Sequence, residues 1–259
     1  MKNELAIVLS NDNKCSIVES LNGIKHAGFN NVFVQWYDKD FEISQLKQVE
    51  LCKQDDLNII FAHLGYQNIN EIWLDSGDYF VDRYKKDILD VSKLGIDKVI
   101  MHPCSKFEAP DPSEIGLRRF KEIVNYAESL NVVVCVENTK IRQHLEYLLD
   151  NINNSNFGLC FDAGHYHCNF KDDWNFDKYI NRIFAVHLHD NHFESDEHLL
   201  PFDGNLDWNY IINKLKELNY NGPITMEVCY GENYLNMNID DYYKEAYQRG
   251  LKLAKYNEF

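Results

Sequence analysis

Short apolar runs recur along this chain at intervals of roughly 25 to 35 residues, and the stretches between them carry apolar residues at helical spacing. Eight runs can be read: Leu5–Leu9, Asn31–Trp36, Asn58–Leu64, Lys98–His102, Val132–Glu137, Phe157–Asp162, Phe184–His189 and Pro223–Val228. Segments such as Val132-Val133-Val134-Cys135-Val136 are apolar at every position, which suits parallel strands buried on both faces. Between the runs, Tyr79–Leu94 places Tyr79, Phe80, Ile88, Val91 and Leu94 within reach of one helical face. Pro112–Leu130 reads as a helix capped by Asp111, with Pro112 in its first turn. Gly28, Gly95 and Asn131 fall between a helix and the next strand, where a left-handed residue ends the helix.

Alternating β and α segments imply a parallel sheet. Eight units filling 259 residues predict an α/β fold, a single (β/α)8 TIM barrel spanning residues 1–259 as one domain. A doubly wound open sheet would place a glycine-rich turn after the first strand, and Ser10-Asn11-Asp12-Asn13 has no glycine.

Composition narrows the setting. Apolar residues make up 45%, enough to fill a barrel interior and the layer under its helices. No apolar run approaches the roughly 18 residues of a membrane span, and Leu5–Leu9 is too short for a signal segment. Seven widely spaced cysteines without a CxxC pair point to a reducing compartment and argue against thiolate-held zinc. A cytoplasmic protein is expected. The formal net charge of −15 argues against a nucleic-acid partner, because non-specific affinity for phosphate backbones needs a basic surface.

The chemistry is written where polar residues interrupt the strands. From the third run onward the apolar stretch ends on His63, His102, Glu137, Asp162, His187 or Glu227. In a parallel barrel these ends share one rim, so groups far apart in sequence converge. Carboxylates and imidazoles gathered out of water need a compensating cation, and mixed oxygen and nitrogen donors suit Zn2+, Mn2+ or Fe2+. Taken singly, Glu137 or Glu227 could be a paired buried acid and Asp162 a helix cap. Six interruptions at one end of consecutive strands favour a metal site. His165 lies three residues beyond Asp162, and the loop after strand seven brings Asp196 and His198. His189 shares a strand face with His187 and either supports the ligands or faces substrate. Asp190 is placed to orient an imidazole. His26, His144, His167 and His192 read as structural or surface residues.

These motifs resemble those of the xylose isomerase-like TIM-barrel superfamily, which includes sugar and sugar-phosphate isomerases and epimerases and the endonuclease IV family of apurinic-site nucleases. The resemblance rests on Met-His-Pro (101–103), Val-Glu-Asn-Thr (136–139), Phe-Asp-Ala-Gly-His (161–165), His-Leu-His-Asp-Asn (187–191), Asp-Glu-His (196–198) with Gly-Asn-Leu-Asp-Trp (204–208), and Met-Glu-Val (226–228). The isomerase branch implies one metal on Glu137, Asp162, His187 and Glu227, with Glu137 and Glu227 passing a proton through an enediolate. His165 would then touch substrate oxygens. The endonuclease IV branch implies three zinc ions on His63, His102, Glu137, Asp162, His165, His187, Asp196, His198 and Glu227, activating water for phosphodiester cleavage.

Two departures weigh against the nuclease. Trp36-Tyr37-Asp38-Lys39-Asp40 lacks an arginine-bearing DNA-probing loop, and the chain is acidic. The epimerase pattern is also imperfect, since His192-Phe193-Glu194 stands where an arginine is frequent. The leading expectation is a metal-dependent isomerase or epimerase of a sugar, sugar phosphate or related hydroxy-carbonyl compound, using one to three divalent ions (Zn2+ or Mn2+). A zinc phosphoesterase and a non-catalytic metal- or sugar-binding barrel are the alternatives. Substrate contacts are expected from His165, His189, Trp36, Lys106 and Lys140, and a homo-oligomer is compatible with the sequence. Trp73, Tyr166 and Trp208 are further rim aromatics, and Arg142 and Lys171 further cations that a phosphate would meet.

Overall fold

The computed structural model describes residues 4–10, 14–37 and 43–256. Asn11, Asp12 and Asn13 of the first turn, and Asp38, Lys39 and Asp40 of the loop after the second strand, lie outside the described residues.

Strand periodicity organises the molecule. The strands are β1 (Leu5–Leu9), β2 (Asn31–Trp36), β3 (Asn58–Leu64), β4 (Lys98–Met101), β5 (Val133–Glu137), β6 (Phe157–Asp162), β7 (Ile183–His187) and β8 (Ile224–Met226). They pair in parallel in the order β7-β6-β5-β4-β3-β2-β1-β8. The seam between β7 and β8 closes through Leu188, whose N–H donates to Thr225 (2.9 Å) and whose carbonyl accepts from the Glu227 N–H (3.2 Å). The result is a (β/α)8 TIM barrel, as the alternating pattern predicts.

The intervening helices are α1 (Ile17–Ala27), α2 (Gln45–Gln54), α3 (Tyr79–Lys93), α4 (Glu114–Ser129), α5 (Arg142–Asn151), α6 (Ala163–Cys168), α7 (Trp208–Glu217) and α8 (Ile239–Lys255). Gly28 and Gly95 (φ 102° and 82°) and Asn131 (φ 56°) are left-handed, as their positions after helices require. Two local expectations change. Helix α4 is capped by Ser113, not Asp111, because the Ser113 hydroxyl accepts from the Gly116 N–H (3.2 Å) while donating to the Trp73 carbonyl (2.7 Å). That tie fixes where the helix starts. In α3 the buried face is Phe80, Val81, Tyr84, Ile88 and Val91, and Tyr79 is exposed.

Side chains two apart on a strand share a face. Val8, Phe33, Phe61, Ile100, Cys135, Cys160 and Ala185 form one apolar layer inside the barrel. Advancing two residues toward the C-terminal rim from each gives Ser10, Gln35, His63, His102, Glu137, Asp162 and His187, and Glu227 joins them just beyond β8. Apolar packing therefore ends in a complete polar layer. Phe33 and Phe61 support it from below, their rings 5.0 and 5.5 Å from that of His187. All seven cysteines are free, and among the described residues no helix is long and apolar enough to cross a membrane.

Candidate metal centre

The polar layer forms overlapping groups whose potential ligand atoms lie within 4.8 Å of one another. Glu137, Asp162, His187 and Glu227 make one. His63, His102 and Glu137 make a second, and His189, Asp196 and His198 a third; Asp162, His165 and His189 also converge. Glu137 is the hub. Its carboxylate stands 2.8 Å from His187 Nδ1, 2.8 Å from His102 Nε2 and 3.3 Å from His63 Nε2. His165 reaches Asp196 at 2.9 Å, so the loop residues predicted as ligands join the strand residues.

Burial and mutual charge divide the acids. Burial drives the Glu137 carboxyl upward, but the imidazoles of His187 and His102 outweigh it and hold Glu137 well below the usual carboxylate range. Burial, followed by repulsion from Glu137 and Asp162, pushes Glu227 well above that range. Burial opposes the ionised form of Asp162 and Asp196 too, yet His165 beside both, His189 beside Asp162 and His198 beside Asp196 keep them low. Burial takes His102 down to about 4. For His165, the carboxylates of Asp162 and Asp196 overcome desolvation and raise it well above its ordinary value.

The donor set fits a divalent cation. His165 Nδ1 and Asp196 Oδ1 are buried without a hydrogen-bond partner. His165 Nδ1 stands 3.6 Å from both Glu137 Oε1 and Asp162 Oδ1, and Asp196 Oδ1 is 3.5 Å from His198 Nε2. These gaps are long for hydrogen bonds. They match the roughly 3.4 Å between neighbouring ligands that metal–ligand bonds of about 2.1 Å give in a tetrahedron.

Above the cluster opens a cavity of about 300 Å³. His63, His102, His165, Asp196, His198, Glu227 and Lys140 border it; Glu137, Asp162 and His187 are fully buried beneath. Several expected contacts are placed elsewhere. Trp36 does not line this cavity: Gln35 continues the inward-facing row from Phe33, so strand alternation turns Trp36 outward. Trp73 is buried against Phe120 and donates to the Pro103 carbonyl, Trp208 donates to Asp190, and Tyr166 borders a separate recess. Lys106 is absent from the lining, where Ser105 stands. Lys171 donates to the Phe193 carbonyl.

His189 is wholly buried, not substrate-facing. Its Nε2 is 3.1 Å from Asp162, and its ring stacks on His198 with centroids 4.1 Å apart. Asp190 touches no imidazole; it binds the loop that carries Asp196 and His198. His167 and His144 are buried structural residues, bonded to Asp172 and to the Pro110 carbonyl respectively.

Tyr37, Tyr66, Ser10, Gln35, Ser105 and Thr139 also line the cavity without having been singled out in the sequence. Gln35 had a readable signal, since it is the polar interruption of β2 in register with His63. Tyr66 lies in a loop, where no periodicity marks it. Its ring stacks on His102 at 4.1 Å with planes 10° apart.

The chain is similar to known proteins in sequence and in fold. The protein y4fM of Sinorhizobium fredii is 29% identical over 146 residues, 53% of this chain, and the chain spans about half the length (46%) of that relative. A D-tagatose 3-epimerase-like protein superposes with a TM-score of 0.75 at 20% identity, covering 99% of this chain and all (100%) of that one. An L-ribulose 3-epimerase gives a TM-score of 0.77 at 16% identity, covering 98% and 95%. At such identities the likeness is one of fold. The family model described as xylose isomerase-like TIM barrel matches residues 22–253, and the chain belongs to that family.

Proposed function

We propose that this protein is a metal-dependent isomerase or epimerase of a sugar or related hydroxy-carbonyl compound. One observation carries the reading: two glutamates, Glu137 and Glu227, belong with Asp162 and His187 to a single four-ligand group at the floor of a small-molecule cavity, which Glu227 borders. Two carboxyl groups beside one carbonyl can take a proton from carbon and return one. Glu137, Asp162, His187 and Glu227 would hold the ion, which when bound would polarise a carbonyl and acidify the adjacent C–H.

The chain's own residues do the rest. Glu227 borders the cavity and is the glutamate placed to exchange a proton with substrate. Glu137, fully buried beneath it and 2.8 Å from His187 and His102, is the second glutamate of the pair. Ser10, Gln35, Ser105 and Thr139 supply polar contacts for hydroxyl groups, and Tyr66 offers a half-exposed ring face. A cavity of this volume accommodates a small molecule. The epimerase names of the two superposed structures agree with this chemistry.

The test is solvent deuterium incorporation next to the carbonyl, measured by NMR across a ketose panel with metal-loaded protein. Glu227→Gln keeps shape but removes the titrating group, and should slow exchange by about 10²–10⁴-fold. Exchange that survives Glu227→Gln refutes the assignment.

A second reading, a multinuclear phosphoesterase, is favoured by further groups around the four-ligand set, among them His63–His102–Glu137 and His189–Asp196–His198. Elemental analysis separates the two. One tightly bound ion supports carbonyl chemistry, whereas three ions together with nicking of abasic duplex DNA support hydrolysis.

A further inference from the structure

The metal-competent cavity does not stop at the ligands. Lys140 forms one of its walls and is the only lysine or arginine among its described lining residues. On its other side Lys140 borders a second recess of about 300 Å³, shared with Phe107, Arg142, Asn169, Phe170 and Asp173. It is the one side chain common to both spaces.

The recess brings two cations together. Lys140 Nζ is only loosely held, 3.5 Å from Asp196 Oδ2 and 3.5 Å from Asn169 Oδ1. Arg142 is exposed, donates to the Asp173 carbonyl, and has no ion-pair partner among the described residues. Asp173 contributes the one carboxylate among the recess's described lining residues and Asp196 stands beside Lys140 from the main cavity, so Arg142 is the cation without an ion-pair partner among the described residues, in a chain whose formal charge is −15. Helix α5 adds to this. It starts at Arg142 without a side-chain cap and without an acid in its first turn, so its N-terminal dipole repels the cation placed there unless an anion intervenes. Phe107, 60% exposed, stands on the rim 5.9 Å from Lys140 Nζ. A neutral sugar would find its hydroxyl partners in the main cavity and would have no use for Arg142.

We infer that this recess receives an anionic substituent, phosphate or carboxylate, carried by the substrate whose carbonyl end lies at the four-ligand group. The substrate class is then a phosphorylated ketose or a keto sugar acid, not a neutral sugar. The inference rests on the isomerase reading for the identity of the molecule, but the anion site has its own readout.

Isothermal titration of the metal-loaded protein with D-fructose, D-fructose 6-phosphate and 5-keto-D-gluconate measures the preference directly. At least one charged ligand should bind tenfold or more tightly than fructose, and which one does so separates phosphate from carboxylate. Arg142→Gln, on an exposed site, should reduce that ratio about tenfold at unchanged metal content and Tm, and Lys140→Met should reduce it also; Arg142→Lys should restore part of it. Equal affinity for all three ligands overturns the inference. So does a preference that survives both Arg142→Gln and Lys140→Met, because the anion would then be held elsewhere in the cavity. Deuterium exchange on the same ligands keeps the two readings apart. Exchange without anion preference leaves the isomerase and removes the subsite; an Arg142-dependent preference without exchange on any ligand leaves the subsite and removes the isomerase.

Discussion

Replacing Asp190 with asparagine should detach the loop that delivers Asp196 and His198. Asp190 is fully buried directly after β7, and its carboxylate accepts four hydrogen bonds. Oδ1 takes the N–H groups of Asn191 (2.9 Å) and Leu206 (3.1 Å); Oδ2 takes those of Phe202 (2.8 Å) and the Trp208 indole (2.8 Å). Every partner is a donor. An asparagine amide has one accepting end, so whichever way it turns, two N–H groups, at least one of them fully buried, face its NH2. Each stranded buried group costs about 1–3 kcal/mol, giving a total of about 2–6 kcal/mol. That is a large share of the roughly 5–15 kcal/mol by which a domain is stable.

Because the ends of the loop are tied at Asp190, the Asp190–Leu199 bridge and Trp208, the damage should appear in two measurements. Urea unfolding should report the stability loss, and the midpoint of thermal unfolding should fall by about 5–20 °C. In titrations followed by elemental analysis at a temperature where the variant is folded, ions using Asp196 and His198 should weaken, while the Glu137–Asp162–His187–Glu227 group is preserved. A variant that loses less than about 1 kcal/mol and keeps full metal affinity would show that the carboxylate does not hold this loop.

Other perturbations test separate parts of the argument. At Gly164 an added methyl would stand 1.9 Å from His189 Cε1, so Gly164→Ala should displace His189 from Asp162 and lower metal affinity by about 10–100-fold, read by competition with a chromogenic chelator. Unchanged affinity would mean that His189 does not support the ligands. Arg119, 2% exposed, binds Asp78 and the carbonyls of Ile72, Leu74 and Asp75; Arg119→Ala should cost about 3 kcal/mol or more in urea unfolding, and Arg119→Lys should recover little because an ammonium cannot span the fork. Chelation with EDTA should lower Tm by roughly 10 °C, as expected for an ion present at about 1,000 times its Kd, with recovery on adding metal back. Indifference to the chelator would remove the metal centre from the proposal.

How much of this could be read beforehand follows from what periodicity encodes. In a parallel barrel both strand faces are buried, so polarity does not reveal which residues point inward until a polar side chain breaks the run. His63, His102, Glu137, Asp162, His187 and Glu227 are such breaks, and they form the innermost layer of the site. At β2 the same rule applied to Gln35 would have excluded Trp36, since neighbours on a strand face opposite ways. The conspicuous aromatic drew attention from the informative amide. Loop residues obey no such rule. Asp190 looked like a partner for an imidazole because it lies among histidines, whereas its bonds go to the N–H groups of Asn191, Phe202, Leu206 and Trp208, which only the returning loop brings near. Tyr66 and Arg142 are set by the same kind of information: where a chain segment turns after its strand, not which residues it contains. Strand ends therefore announce the chemistry of this barrel, and the loops, whose paths the linear pattern leaves open, decide what that chemistry acts on.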